Sequence, residues 1–288
     1  MKRIKNKVYN FLAHLIGSRT KKYYNEDFIR VYPDGMVFDR FGKRRRTTND
    51  DIKNFINHSK FYIFAAQFVK EKVVADIGCG AGYGCEILKK AGASEVCGSD
   101  ISGASVEFAA SRYSRYAAFS VQNSISLEKY SDNFFDVTVT NEVLEHIKEY
   151  GVEGKVVEEL KRITKDGGLI MIGTTNSEML DGHGFSFDEI NGLLKRNFSE
   201  YCIFENALIP YSDKKRDWED RQKAGRTGVI ITEDINFSET VVPKNVTPEI
   251  KKGIRPGSFK MGALNIDTSL LHNTHSWVAS AINEKKKL

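Results

Sequence analysis

"VVADIGCGAGYG", residues 73–84, begins as an apolar strand, breaks at Asp76-x-Gly78-x-Gly80-x-Gly82, and is followed by residues of helical periodicity. Glycine lets a backbone turn sharply and lets a ligand approach it, and the N-terminus of the helix that follows offers free N–H groups. A dinucleotide fingerprint needs G-x-G-x-x-G. Counted from Gly78 its last position is Tyr83, and from Gly80 it is Cys85, so the pyrophosphate-binding version is absent. Asp76, ahead of the first glycine, would repel a phosphate and suits a ligand with an ammonium group.

From this loop outward the chain alternates. Strands are predicted over 72–77, 95–99, 117–121, 134–140, 168–174 and 199–207, with helices over 83–92, 102–115, 142–149, 153–164 and 186–196. That rhythm argues for a parallel sheet covered by helices on both faces. Residues 51–70 also have helical periodicity. After 208 the rhythm breaks, and 209–260 hold four of the five prolines in an irregular insertion. "THSWVASAIN", 274–283, is the candidate for a last strand closing the sheet, and "TGVIITEDI", 227–235, competes with it.

At 288 residues and 41% hydrophobic, the chain is long enough for one sizeable core with appendages. No stretch approaches the roughly 18 apolar residues that span a bilayer. Cys79, Cys85, Cys97 and Cys202 lack CxxC spacing, which argues for reduced thiols in the cytoplasm and against a zinc ribbon. Residues 1–50 carry 13 Lys/Arg against 5 Asp/Glu, net +8; the other 238 carry 30 against 33, net −3. The basic segment opens with Ile4, Val8, Phe11, Leu12, Leu15 and Ile16 on one helical arc about 140° wide, edged by lysines. Such a helix either packs on the body or attaches residues 1–20 to an anionic membrane surface. With no nucleic-acid-binding module and a body of slightly negative charge, nucleic acid is not the expected partner.

About twenty residues past the loop, "EVCGSDIS" ends a second strand in Asp100, placed to take both hydroxyls of a ribose. An amino-acid end, a ribose and no phosphate describe S-adenosylmethionine. Here the sequence resembles the class I S-adenosylmethionine-dependent methyltransferases, and the match recurs in order: the glycine loop, Asp100, "SVQNSISL", "FFDVTVTNEVLEH" and "LKRITKDGGLIMIGTTN". The resemblance covers about residues 55–207. It implies a Rossmann-like α/β fold, with a mostly parallel seven-stranded sheet, helices on both faces, an N-terminal helix and a C-terminal extension. It further implies that Asp76, Gly78, Gly80 and Gly82 hold the methionine end of the donor. Asp100 would hold the ribose, Ile101 would stack on adenine, Asn123 and Ser124 would meet its edge, and Asn141 would approach the methionine moiety. Asn123 departs from the Asp found in many relatives, but an amide still accepts from the adenine amino group.

"NEVLEHIKEY", 141–150, follows the fourth strand. On a helical wheel Glu142, Glu145 and His146 share an arc of about 100°, with Val143, Leu144 and Ile147 opposite. Two carboxylates and an imidazole suit Mg²⁺, Mn²⁺ or Zn²⁺, with His183 of "DGHGFSF" as a fourth ligand. The pattern resembles the ExxEH metal motif of the ubiquinone-pathway O-methyltransferases and of small-RNA 2′-O-methyltransferases. "EVLEH" is also common in class I methyltransferases without metal, where His146 or His183 serves as a base, and a structural role is the third reading. His14, His58, His272 and His275 are less constrained, though His272 and His275 line the acceptor pocket if the last strand lies as expected.

"HSKFYIFAAQFVKEKVVADIGCGAGYG", 58–84, resembles the approach to the glycine loop in bacterial methyltransferases of surface polysaccharides and sugars. The resemblance implies a small-molecule or glycan acceptor, with Arg44, Arg45 and Arg46 meeting a pyrophosphate and the first helix holding a cytoplasmic enzyme at the inner membrane face. The rival functions are a quinone-pathway O-methyltransferase, an RNA 2′-O-methyltransferase and a non-catalytic donor-binding partner subunit. The expected organisation is a basic segment over 1–50, a donor-binding core over 51–208, and an acceptor cap with the last strand over 209–288.

Overall fold

The computed structural model describes residues 58–177, 182–207 and 275–285, with the backbone of 37–38, 44–45 and 230–231. The predicted helix at 1–20, the side chains of Arg44–Arg46 and the two histidines His14 and His272 lie outside the described residues, as does the side chain of His275.

Seven strands build the main sheet: β1 (Val73–Ile77), β2 (Glu95–Asp100), β3 (Ala118–Val121), β4 (Phe135–Asn141), β5 (Thr164–Thr175), β6 (Tyr201–Ala207) and β7 (His275–Asn283). Their order is β3-β2-β1-β4-β5-β7-β6, parallel from β3 to β5, with β7 antiparallel to both its neighbours. Both candidates for the last strand pair with the sheet. Residues 275–283 fill the slot between β5 and β6, whereas Ile230–Ile231 adds a two-residue edge outside β6. Apolar Trp277, Val278, Ala279, Ala281 and Ile282 are all buried, as a strand covered on both faces requires.

Helices cover each face. On one side lie α1 (58–65), α2 (Tyr83–Lys90) and α3 (Gly103–Tyr113); on the other lie α4 (Leu144–Lys148), α5 (Glu153–Ile163) and α6 (Phe187–Asn197). Strand alternation sorts the core: Val74, Val137, Val139 and Met171 pack beneath Phe61, Tyr62, Leu88 and Tyr113, while Ala75, Ile77, Ile170 and Ile172 pack against Leu144, Val157, Leu160 and Ile190. Each fully buried aliphatic side chain contributes roughly 1.5–3 kcal/mol of transfer free energy. Polar bonds fix the C-terminal strand: Trp277 Nε1 donates to the Phe185 carbonyl at 2.9 Å, and Asn283 Nδ2 donates to the carbonyls of Lys161 and Thr164, each at 2.9 Å.

Helix α6 starts where the sequence puts it, at a Ser186–Glu189 capping box. The helix predicted over 142–149 is shorter. Glu142 has φ 56°, in the left-handed region, so it forms a turn, and α4 spans only Leu144–Lys148. A non-glycine residue held there costs on the order of 1–3 kcal/mol, and such strain collects at functional sites.

Candidate functional site

The carboxyl ends of β1 to β4 open onto a cavity of about 570 Å³. Open parallel sheets bind ligands at this edge because the loops after successive strands converge there. The loop after β1 forms one wall. Gly78, Gly80 and Gly82 all have positive φ, and the N–H groups of Gly78 and Cys79 both donate to the Ser99 carbonyl, at 2.7 and 2.9 Å. A Cβ on Gly78 would stand 2.2 Å from Val143 Cγ2, so glycine there lets the turn after β4 close against the loop. Gly82 has a different task from the one expected. It is absent from the cavity wall, and its Cβ would stand 2.7 Å from Ala109 Cβ, so glycine there lets α2 approach α3.

Asp100 ends β2 at the cavity wall and is 9% exposed. Its Oδ2 accepts from Gly80 N–H at 3.0 Å and its Oδ1 from Ser102 N–H at 2.8 Å, which leaves a lone pair on each oxygen for a vicinal diol. Burial pushes its carboxyl above the usual range, and the two backbone donors oppose that shift. Ile101 beside it is 64% exposed although apolar, a free flat surface on the cavity wall. Asn123 and Ser124 line the same end, with Gln122 and Ile125.

Asp76 departs from its expected position. Strand alternation turns it under α1 and α2, where it is fully buried; its Oδ1 accepts from Tyr62 O–H at 3.1 Å and its Oδ2 from Cys85 S–H at 3.4 Å. It does not border the cavity. Burial pushes its carboxyl up to about 7, against the lowering effect of the Cys85 and Tyr62 bonds.

The turn after β4 gathers the remaining polar groups. Asn141 is 7% exposed and Glu142 has a side chain 9% exposed, and both line the cavity. Asn141 Nδ2 and Glu142 Oε1 are buried without a hydrogen-bond partner. Glu142 Oε2 lies 3.8 Å from Nε2 of His58, which α1 contributes. Burial, and then the neighbouring charge and hydrogen bond of Glu145, hold the Glu142 carboxyl well above its ordinary range. His58 is held down to about 3 by burial and by His146, so its imidazole is neutral.

The expected arc of Glu142, Glu145 and His146 does not form. Glu145 is 1% exposed and turns to the sheet, where its Oε2 accepts from Thr174 O–H at 2.9 Å; His146 stays at the cavity wall. His183 is exposed, and its ring centroid lies 5.2 Å from that of His146. Glu142 is hydrogen-bonded to Glu145, Glu145 is also bonded to Thr174, and the rings of His146 and His183 are in contact. Among the described residues no group of three or more His, Cys, Asp or Glu side chains is arranged to hold a metal ion, so the set does not fit Mg²⁺ or Mn²⁺ as it stands.

Residues 75–172 match a family described as "Methyltransferase domain". Over those residues the chain is similar to a methyltransferase domain. A probable S-adenosylmethionine-dependent methyltransferase of Mycobacterium tuberculosis is 31% identical over 134 residues, 46% of this chain and 47% of that protein. The mitochondrial ubiquinone biosynthesis O-methyltransferase of Dictyostelium discoideum is 31% identical over 121 residues, 37% of this chain and 36% of that protein. The chain thus spans less than half the length of these curated relatives. The N-methyltransferase NodS from Bradyrhizobium japonicum, solved with S-adenosylhomocysteine, shares the fold at a TM-score of 0.50 with 11% identity, over 81% of this chain and 88% of that one.

Several wall residues of the cavity escaped the sequence reading: His58, Tyr62, Tyr83, Gln122 and Tyr150. His58 and Tyr62 lie four apart in "HSKFYIF", one helical turn, which is the signal that both face one way.

Proposed function

We propose that this protein transfers a methyl group from S-adenosylmethionine to a hydroxyl of a sugar or other small hydroxylated metabolite. The observation that carries the reading is one continuous cavity with Asp100 and the exposed Ile101 at one end and the imidazole of His146 on its wall. Asp100 would take the ribose hydroxyls, Ile101 the adenine face, and Asn123 and Ser124 its edge. The bound donor supplies an electrophilic methyl group on a sulfonium. His146 accepts the proton of the acceptor hydroxyl as its oxygen bonds to the methyl carbon and the sulfur–carbon bond breaks. Positioning of two reactants in one cavity supplies much of the rate, and a base adds roughly 10²–10⁴-fold.

Oxygen as the acceptor atom is supported by the ubiquinone biosynthesis O-methyltransferases of Dictyostelium discoideum and of Chelativorans, the latter 30% identical over 105 residues. They also favour a second reading, a quinone-type acceptor, to which the apolar Ile147, Tyr150 and Val152 on the wall would be suited. Methyl transfer from labelled S-adenosylmethionine into cell extract, with and without EDTA, separates the two. Label in the water-soluble or glycan fraction that ignores EDTA and disappears in His146→Ala is the expected result. Label in the organic fraction would select the quinone-type acceptor, RNase-sensitive label would make the acceptor RNA, and loss with EDTA would restore a metal. Removing residues 1–20 should reduce co-sedimentation with anionic vesicles if that segment brings the enzyme to a membrane-bound acceptor.

A further inference from the structure

Lys148 closes α4, two residues past His146, and its ammonium turns to the segment that precedes α6. Its Nζ donates to the Gly184 carbonyl at 2.8 Å and to Glu189 Oε2 at 2.7 Å, and stands 4.8 Å from the centre of the Phe185 ring. An exposed ion pair alone would count for little, but here one cation joins a backbone carbonyl, a carboxylate and a ring. A helix of five residues cannot hold its own shape in water, so ties of this kind fix where α4 lies.

The far end of the tie is equally fixed. Phe185 N–H donates to the Thr175 carbonyl at 3.0 Å, and the Phe185 carbonyl accepts from Ser177 N–H at 3.1 Å and from Trp277 Nε1 at 2.9 Å. Gly184, at φ 113°, is pressed onto the end of β5, where a Cβ would stand 2.3 Å from the Thr175 carbonyl oxygen. These contacts hold the segment to β5 and β7, and Lys148 links it to α4. Between the two anchors stands His183. It is exposed, yet its ring meets that of His146 with centroids 5.2 Å apart and planes inclined at 42°. An exposed side chain keeps its rotamer freedom unless its surroundings restrict it, and here the next carbonyl along the chain is bound by Lys148.

We infer that Lys148 is a positioning residue: by tying Gly184 to α4 it holds His183 against His146 and so sets the orientation of the imidazole on the cavity wall. Lys148 does not itself border the cavity, so it acts through His183. The assignment rests on His146 being the base of the proposed transfer.

The test uses the full chain as wild type, Lys148→Met, which keeps the stem and loses the donors, and Lys148→Arg, which keeps donors. His183→Ala and the double variant Lys148→Met/His183→Ala complete a cycle. With histidine labelled for NMR, the cross-peak between the ring protons of His146 and His183 should persist in wild type and Lys148→Arg and vanish in Lys148→Met. Initial rates of methyl transfer into cell extract, over a range of labelled S-adenosylmethionine, should show the limiting rate of Lys148→Met lowered roughly 10- to 100-fold, the scale of a misplaced catalytic group, with KM for the donor within about twofold. Lys148→Arg should restore most of that rate, and the double variant should be no slower than His183→Ala, since both changes remove one contact. A cross-peak that survives in Lys148→Met, a limiting rate unchanged when it is lost, or losses that multiply in the double variant would each overturn the assignment while leaving the transfer in place. Wild type that transfers no label would overturn the proposed transfer, whatever the cross-peak shows.

Discussion

Replacing Gly173 by alanine adds one methyl group where β5 passes behind the cavity. The added carbon would stand 2.0 Å from Asn141 Oδ1 and 2.8 Å from Phe61 Cδ2. Neither neighbour can easily yield, since Asn141 is 7% and Phe61 1% exposed. The strand cannot slide either, because Gly173 is paired with Asn141 on β4 and with Val278 on β7. Overpacking of this kind costs about 1–3 kcal/mol. At roughly 2–4 °C per kcal/mol for a domain of this size, the midpoint of thermal unfolding should fall by about 2–12 °C. Gly154 is the internal control. It lies in α5, and a Cβ there meets nothing within 4 Å. Gly154→Ala should therefore raise stability by about 0.4–1 kcal/mol, through the smaller conformational entropy of the unfolded chain. Thermal melts of the two variants beside wild type give opposite signs if the packing argument holds. Gly173→Ala that melts at or above wild type would refute it. So would loss of the same size in both.

Asp100→Ala removes the acceptor of two backbone N–H groups as well as the diol contact, so S-adenosylhomocysteine should bind at least roughly 10-fold more weakly in calorimetry; unchanged affinity would displace the ribose from Asp100. Asp76 has an opposite dependence on pH from an ion-paired carboxylate: raised from 3.8 to about 7, it keeps a proton that the unfolded chain releases. Its stabilising contribution is full below about pH 3.8 and is lost as pH rises to about 7, so the advantage of Asp76→Asn over wild type should grow across that window at up to about 1.4 kcal/mol per pH unit. A flat difference between the two denaturation series would show that Asp76 ionises normally. His58 has the reverse slope. Held down from 6.5 to about 3, it refuses a proton that the unfolded chain takes up, so it costs stability as pH falls below 6.5, and His58→Gln should flatten that fall in acid denaturation. An acid limb no flatter in the variant would mean that the imidazole protonates in place.

The sheet and the glycine loop were legible because their signals are local. Strand period, helical period and the glycine spacing sit within a dozen residues of one another, and Asp100 and Ile101 stand where β2 simply stops. Asp76 was misplaced although a local rule covers it: with Val74 packed under α1 and α2, an alternating strand must put Asp76 on that same face. The "EVLEH" wheel failed for a different reason. It presumes that residue 142 is helical, and nothing in the residue types of "NEVLEH" announces a left-handed glutamate.

Sequence alone determined the order of strands and helices and the glycine turn, since each depends on residues near one another in the chain and on backbone preferences that neighbours share. Tertiary structure alone decided that 275–283 enters between β5 and β6, that His58 meets Glu142 from 84 positions away, and that Glu145 turns to Thr174 while His146 faces the cavity. Those outcomes depend on which distant surfaces pack together. Burial then dictates which side chains find partners within the protein.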